Sequence, residues 1–94
     1  MPKGIPRDQS TKHALLHRLK IVRGHLDKVI DMVDSGAYCI DVIHQSMAVQ
    51  ASLKAIDEAI LNDHMRTCVA EEIRKGNTQE VIDEVMKVVK RANA

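Results

Sequence analysis

Aromatic side chains are almost missing from this chain: Tyr38 is the only one among 94 residues, with no Trp and no Phe. A core must therefore be assembled from Leu, Ile, Val, Met and Ala. A stacking platform for single-stranded nucleic acid, which needs several aromatic faces, is disfavoured. The N-terminal "MPKGIP" contains no apolar segment of the signal-peptide kind. No stretch approaches the roughly 18 uninterrupted apolar residues of a membrane span. These absences predict a soluble, cytoplasmic protein that does not span a membrane. Cysteine is also scarce, with only Cys39 and Cys68. In a reducing compartment both stay thiols, which favours a metal or redox role over a structural disulfide.

No strand alternation, internal repeat or low-complexity segment is present. At 94 residues the chain allows a single domain, 1–94, in which residues 1–8 form an N-terminal arm. A domain this small buries a modest fraction of its surface and often leans on another subunit.

The net charge of +1 conceals a strong polarity. Residues 1–28 hold seven basic side chains (Lys3, Arg7, Lys12, Arg18, Lys20, Arg23 and Lys28) against Asp8 and Asp27, a local charge of +5 that leaves −4 for the remainder. A basic N-terminal third points to a polyanion, with DNA, RNA and an anionic membrane surface as the candidates. A solvated helix face explains the same charges equally well.

Three amphipathic helices follow from the periodicity. "DQST" supplies N-cap residues, and Leu15, Leu19, Val22, Leu26, Val29, Ile30 and Val33 recur at steps of three and four. Gly36, in "DSGAY", suits the left-handed position past a helix end. From about Tyr38 to Lys75 neither Pro nor Gly interrupts the chain, and Ile43, Met47, Ala51, Ile56, Ile60 and Met65 keep helical spacing. A continuous second helix of about ten turns is predicted. Gly76 ends it, Thr78 caps a third helix, and Val81, Ile82, Val85, Met86 and Val89 form the apolar stripe of that third element. The predicted fold is all-α, three helices with a long central one. The central helix overhangs anything its two shorter neighbours can cover, so an antiparallel helix-bundle dimer through it is expected. The breaks at Gly36 and Gly76 separate helices too unequal for a helix-turn-helix.

One spacing carries chemistry. In "LNDHMRTCVAEE", His64 and Cys68 stand four residues apart and share one face of a helix. Cys39 is the only other thiol. Two thiolates and an imidazole make a soft donor set that favours Cu(I), with Zn(II) or Ni(II) admitted when further ligands join. On a continuous helix Cys39 and His64 lie roughly 37 Å apart, so one subunit cannot close the site. Two such helices packed antiparallel can, giving two equivalent sites per dimer with a two-fold axis near Ser52, where Ala48, Ala51 and Ala55 permit close approach. A helical His-x-x-x-Cys pair is a weak signal by itself, since buried Cys commonly acts as a small hydrophobe. His13, His17, His25 and His44 lie elsewhere and read as solvent or packing residues. The five Met residues read as core filling.

These residues occur in a familiar arrangement. The run "LHRLKIVRGHLDKVIDMVDSGAYCIDVIHQSMAVQASLKAIDEAILNDHMRTCV" resembles the CsoR/RcnR/FrmR family of small all-helical bacterial metal- and stress-sensing repressors. The matching pieces are "RLK…RGH" in the first helix, the opening of the second from Tyr38 to Ala48, and the His64 and Cys68 pair. The resemblance implies a branch: Cys39, His64 and Cys68 match the Cys-His-Cys pattern of the copper sensors. The nickel/cobalt branch has His in place of the final Cys and an N-terminal His where Arg7 stands here. Formaldehyde sensors pair an N-terminal Pro, as at Pro2, with the Cys of the second helix but lack the final Cys. Persulfide sensors lack the His. The resemblance further implies that Tyr38 and Glu84 form an outer pair around the metal-bound His, and that Arg18 contacts operator DNA with Lys20, Arg23 and Lys54 in support. It implies a dimer of dimers, and DNA binding that is lost when Cu(I) occupies the sites. Gln50 departs from the pattern, standing where many relatives have Arg.

The expected function is a Cu(I)-responsive transcriptional repressor of double-stranded operator DNA. Its competitors are a cytosolic copper-buffering or chaperone protein using the same ligands, and a repressor of the same family that senses thiol or persulfide chemistry or another metal such as Ni or Zn. No nucleophile-base pair, phosphate-cradling loop or carboxylate dyad suggests an enzyme.

Overall fold

The computed structural model describes residues 9–92. The expected N-terminal arm, with Pro2 and Arg7, lies outside the described residues. Within them the chain is helical, with no strand: α1 (Gln9–Asp34), α2 (Cys39–His64), a π-helical turn (Met65–Val69), α3 (Ala70–Arg74) and α4 (Thr78–Ala92). No helix among the described residues is long and apolar enough to cross a membrane. The chain divides into two compact units, one within residues 9–60 and the other within 61–92.

In the first unit α1 packs along α2 through Leu15 and Val22 on one helix and Val49 and Ile56 on the other, with Val29 and Ala59 against them. Ile56 is only 2% exposed. Leu15, Val22 and Val29 are spaced by sevens, the narrow stripe that two helices share when they run side by side. The other apolar residues of α1 in the predicted stripe, Leu19, Leu26, Ile30 and Val33, stay exposed in the single chain. At about 100° per residue these four fall with Leu15, Val22 and Val29 within one arc of about 100°, so α2 covers only one edge of a broad apolar face. On α2 the same division appears: Val49 is buried although it lies off the predicted stripe, while Ile43, Met47 and Ile60 are exposed. A polar tie adds register, His25 Nε2 donating to Gln45 Oε1 across 2.7 Å.

In the second unit Val69 and Val81 are buried, and α3 packs against α4. Glu72 is buried as well, a costly place for a carboxylate without a partner. Asn77 supplies one, its Nδ2 donating to Glu72 Oε2 at 2.6 Å. No buried side-chain N or O among the described residues lacks a hydrogen-bond partner.

Both predicted glycine stops adopt the left-handed conformation, Gly36 at φ 77° and Gly76 at φ 91°. Each closes a helix with the same pair of bonds. Gly36 N–H donates to the Val33 carbonyl and Ala37 N–H to that of Met32; Gly76 donates to Ile73 and Asn77 to Glu72. This is the Schellman pattern, which satisfies carbonyls that the helix end would leave open. The expected cap at Thr78 is shifted: Thr78 is the first residue of α4, and the Asn77 carbonyl accepts the N–H of Val81. Asp41, Glu80 and the Lys90 and Arg91 pair lie at helix ends of matching dipole sign.

The second helix departs from the expected uninterrupted run at the π-helical turn. Thr67 Oγ1 donates to the Asp63 carbonyl at 2.8 Å, four residues back. A hydroxyl bonded there competes with the backbone ladder and often bends a helix.

Replacing Gly36 or Gly76 by Ala forces a Cβ into the left-handed region, where it costs roughly 1–2 kcal/mol. Open space surrounds both positions, so the loss is one of backbone conformation and not of packing. Urea unfolding at one fixed protein concentration is expected to show each variant less stable by about that amount, with the slope unchanged.

Candidate metal centre

The three candidate ligands are distributed along α2 and its continuation. Cys39 is the first residue of α2 and is exposed. The helix starts there because the Schellman turn at Gly36 reverses the chain, and the Tyr38 carbonyl accepts the N–H of Val42. Tyr38 itself is 68% exposed. His64 is the last residue of α2, and Cys68 lies within the π-helical turn. The two thiols are both free but differ sharply in access: Cys68 is buried, at 9% exposure.

His64 and Cys68 belong to the unit of residues 61–92, as does Glu84 on α4. His64 Nε2 stands 3.6 Å from Glu84 Oε1. The Glu84 side chain is half exposed, whereas that of His64 is mostly covered. With Nε2 turned toward a carboxylate, the ring keeps Nδ1 for a further partner. A carboxylate on the far nitrogen orients the ring and raises its basicity toward a metal. One imidazole and one thiol make two soft donors. Among the described residues, no group of three or more His, Cys, Asp or Glu side chains in one chain is arranged to hold a metal ion.

One neighbour of this pair escaped sequence reasoning. Thr67 sits between the candidate ligands, its Oγ1 bonded to the Asp63 carbonyl and 3.5 Å from Cys68 Sγ. The available signal was a β-branched hydroxyl residue inside a helix, where the side chain can bond the carbonyl one turn back. In the other unit His25, expected to be a solvent or packing residue, and Gln45, read from the sequence only as part of the family motif, form the polar tie between α1 and α2.

The candidate DNA contacts all lie in the first unit. Arg18, Lys20 and Arg23 on α1 and Lys54 on α2 are exposed. Arg18 edges a shallow cleft between α1 and α2 lined by Ile21, Val22, Ser52, Ala55 and Ile56. Gln50, also exposed, donates through Nε2 to Ser46 Oγ at 3.3 Å. His13, His17 and His44 are exposed on the helices.

Known proteins share this sequence and architecture. Residues 11–91 match the family described as metal-sensitive transcriptional repressor. The chain is 46% identical over 79 residues to the copper-sensing transcriptional repressor CsoR of Mycobacterium ulcerans, covering 84% of this chain and 68% of that protein. It thus spans about two thirds of the length of that mycobacterial relative. The copper-sensing transcriptional repressor CsoR of Bacillus subtilis is 33% identical over 85 residues, covering 90% of this chain and 84% of the relative. The crystal structure of the copper-sensing repressor CsoR with Cu(I) from Geobacillus thermodenitrificans NG80-2 superimposes with a TM-score of 0.90 at 34% identity, covering 97% of this chain and 95% of that one. By sequence and by fold, the chain belongs to the family of metal-sensitive transcriptional repressors.

Proposed function

We propose that this chain is a Cu(I)-responsive transcriptional repressor, and not an enzyme, that occupies double-stranded operator DNA when metal-free and leaves it when Cu(I) binds at sites shared between subunits. The observation that carries the proposal is the layout of the soft donors. Cys39 opens α2, His64 closes it, and Cys68 follows one turn later. A 26-residue helix keeps its ends roughly 37 Å apart. In an antiparallel pair, Cys39 of one protomer meets the partner's His64 and the partner's Cys68, and the pair holds two such centres. Two thiolates and a neutral imidazole suit Cu(I) above harder ions. Kinship with copper-sensing repressors supports the same metal.

Exposed apolar surface supports the assembly. Leu26, Ile30 and Val33 on α1 and Ile40, Ile43 and Met47 on α2 all remain open in the single chain. A soluble monomer rarely leaves so much apolar side chain in water. A dimer covers it, and two dimers form the homotetramer. Arg18, Lys20, Arg23 and Lys54 supply phosphate contacts to the operator, consistent with the +5 charge of residues 1–28. Such a regulator works in the cytoplasm. A copper chaperone needs donors it can present to another protein, and the buried Cys68 is poorly placed for that.

A fluorescence-anisotropy titration on a DNA fragment from upstream of the protein's own gene tests the function at fixed salt. The metal-free protein is expected to bind and Cu(I) to release it, with Ni(II) and Zn(II) ineffective. Release by Ni(II) or Zn(II) instead would reassign the inducer. Failure of the metal-free protein to bind would leave the buffering role.

The shared site has its own test. Cys39→Ala protomers and His64→Ala/Cys68→Ala protomers are each expected to lose tight Cu(I) binding. Mixed and allowed to exchange, they form heterodimers with one intact centre and one destroyed centre. Recovery of Cu(I) binding in the mixture is expected; no recovery, with exchange verified by mass, rules out ligands from two chains.

Glu84 is assigned to coupling, with Tyr38 completing the network around His64. His64 would hold the metal through one ring nitrogen while its other ring N–H, facing the Glu84 carboxylate, would link the ligand to α4. Glu84→Ala is expected to bind Cu(I) and DNA nearly as the wild type does, yet to release DNA poorly at saturating Cu(I). Complete release by this variant, in the same anisotropy assay, would remove Glu84 from the pathway.

A further inference from the structure

We propose that Thr67 is a positioning residue for the metal site: its hydroxyl, held on the Asp63 carbonyl, sets the π-helical turn that fixes the direction of Cys68 relative to His64. The inference rests on the assignment of those two residues as ligands, and its geometry is visible without metal.

An α-helix turns by about 100° per residue, so a turn holding one extra residue rotates everything after it by roughly that angle relative to everything before it. The π-helical turn runs from Met65 to Val69, and His64 immediately precedes it while Cys68 lies inside it. The position of the turn therefore decides where the thiol points once the imidazole is placed. His64 is placed by α4, its Nε2 facing Glu84 Oε1 at 3.6 Å. Within the turn Cys68 and Val69 are buried, and beyond it Glu72 is buried as well. In this register the imidazole faces Glu84 while the thiol is covered.

A wide turn weakens the regular backbone ladder, and something must occupy the carbonyls it loosens. Thr67 does so at Asp63, through a 2.8 Å side-chain bond. The Thr67 carbonyl is itself used, accepting the N–H of Ala70. Its Oγ1 lies 3.5 Å from Cys68 Sγ, so the hydroxyl also borders the ligand atom. A residue that removes the hydroxyl but keeps the branched shape takes away the bond and leaves the packing nearly unchanged.

The test compares Thr67→Val and Thr67→Ser with the wild-type full-length protein. In metal-free samples, peptide-resolved alkylation of Cys68 and amide exchange across residues 63–70 report the turn. Thr67→Val is expected to change both, exchange slowing toward that of a regular helix or quickening as the segment frays, with Cys39 alkylation unaffected. Competition titration with a Cu(I) chelator is expected to show roughly 10-fold or greater loss of Cu(I) affinity in Thr67→Val, the size typical of residues that orient metal ligands. Thr67→Ser keeps the hydroxyl and is expected to restore all three readouts. Wild-type alkylation and exchange in Thr67→Val would overturn the inference, as would unchanged Cu(I) affinity despite an altered turn, or failure of Thr67→Ser to restore. Absence of Cu(I) binding by the wild type would instead defeat the metal-site assignment, while the metal-free readouts still judge the role of Thr67 in the turn.

Discussion

The rigid rise of an α-helix is the constraint on which the proposed site depends. α2 spans Cys39 to His64 without a break. Its backbone bonds are all internal, so it cannot fold back to bring its ends together without losing several of them at once. In the proposed site, donors at the two ends are thereby left to meet across two chains, which would tie metal binding to assembly. The apolar residues left open on α1 and α2 have the same consequence by a different force. Burial of one exposed Leu or Ile side chain is worth about 1.5–3 kcal/mol. In the proposed assembly several such residues on each chain would supply association energy that does not depend on metal, so copper would alter an assembly and not be obliged to create it.

Local backbone chemistry places the donors within this frame. Two glycines at positive φ end the helices in the same way, and the second brings α4 back past the π-helical turn. Without that reversal Glu84 would have no route to His64. The buried Glu72 secures the corner, since its carboxylate holds Asn77 while its carbonyl holds the Asn77 N–H. One residue is thus bound twice by another, and the start of α4 is fixed to the end of α3. Substituting Glu72 by an apolar residue would strand the Asn77 amide, a loss larger than the bond itself.

How much of this was legible in the sequence differs by level. Helix class and helix ends were readable because glycine at a left-handed position is a local signal, as at Gly36 and Gly76. The core was read less well. Leu19, Leu26 and Ile43 follow helical spacing as faithfully as Leu15 and Ile56 do, and periodicity cannot say which part of an apolar face is covered within the chain and which stays open. Val49 was passed over for that reason. The π-helical turn had no periodic signature at all, since Met65, Cys68 and Val69 fit a continuous helix equally well. It depends on one hydroxyl of Thr67 choosing a backbone carbonyl over water, a choice settled by geometry and not by composition. The His64 and Cys68 spacing was visible, whereas Glu84 came only through family resemblance. Its distance from His64 in sequence carries no physical rule, and the structure places the two carboxylate and imidazole groups 3.6 Å apart.

Charge and ligands are divided along the chain in a manner that bears on regulation. The exposed basic residues Arg18, Lys20, Arg23 and Lys54 belong to residues 9–60, and His64, Cys68 and Glu84 to residues 61–92. No candidate DNA contact is a candidate ligand, so in the proposed mechanism copper cannot act by neutralising or blocking the DNA-binding charges. It must act by favouring one packing of the subunits over another, and it can do so only to the extent that it binds the two packings with different affinity. The same difference must appear when the order is reversed, with operator DNA opposing copper by an equal free energy. Cys39 is the link that makes this coupling available. It belongs to the unit that carries the basic residues, yet its proposed metal partners lie on the other unit of a second chain, so in the proposed site a single bound ion would tie the helices that carry the candidate DNA contacts of one protomer to the unit of its partner that holds α4.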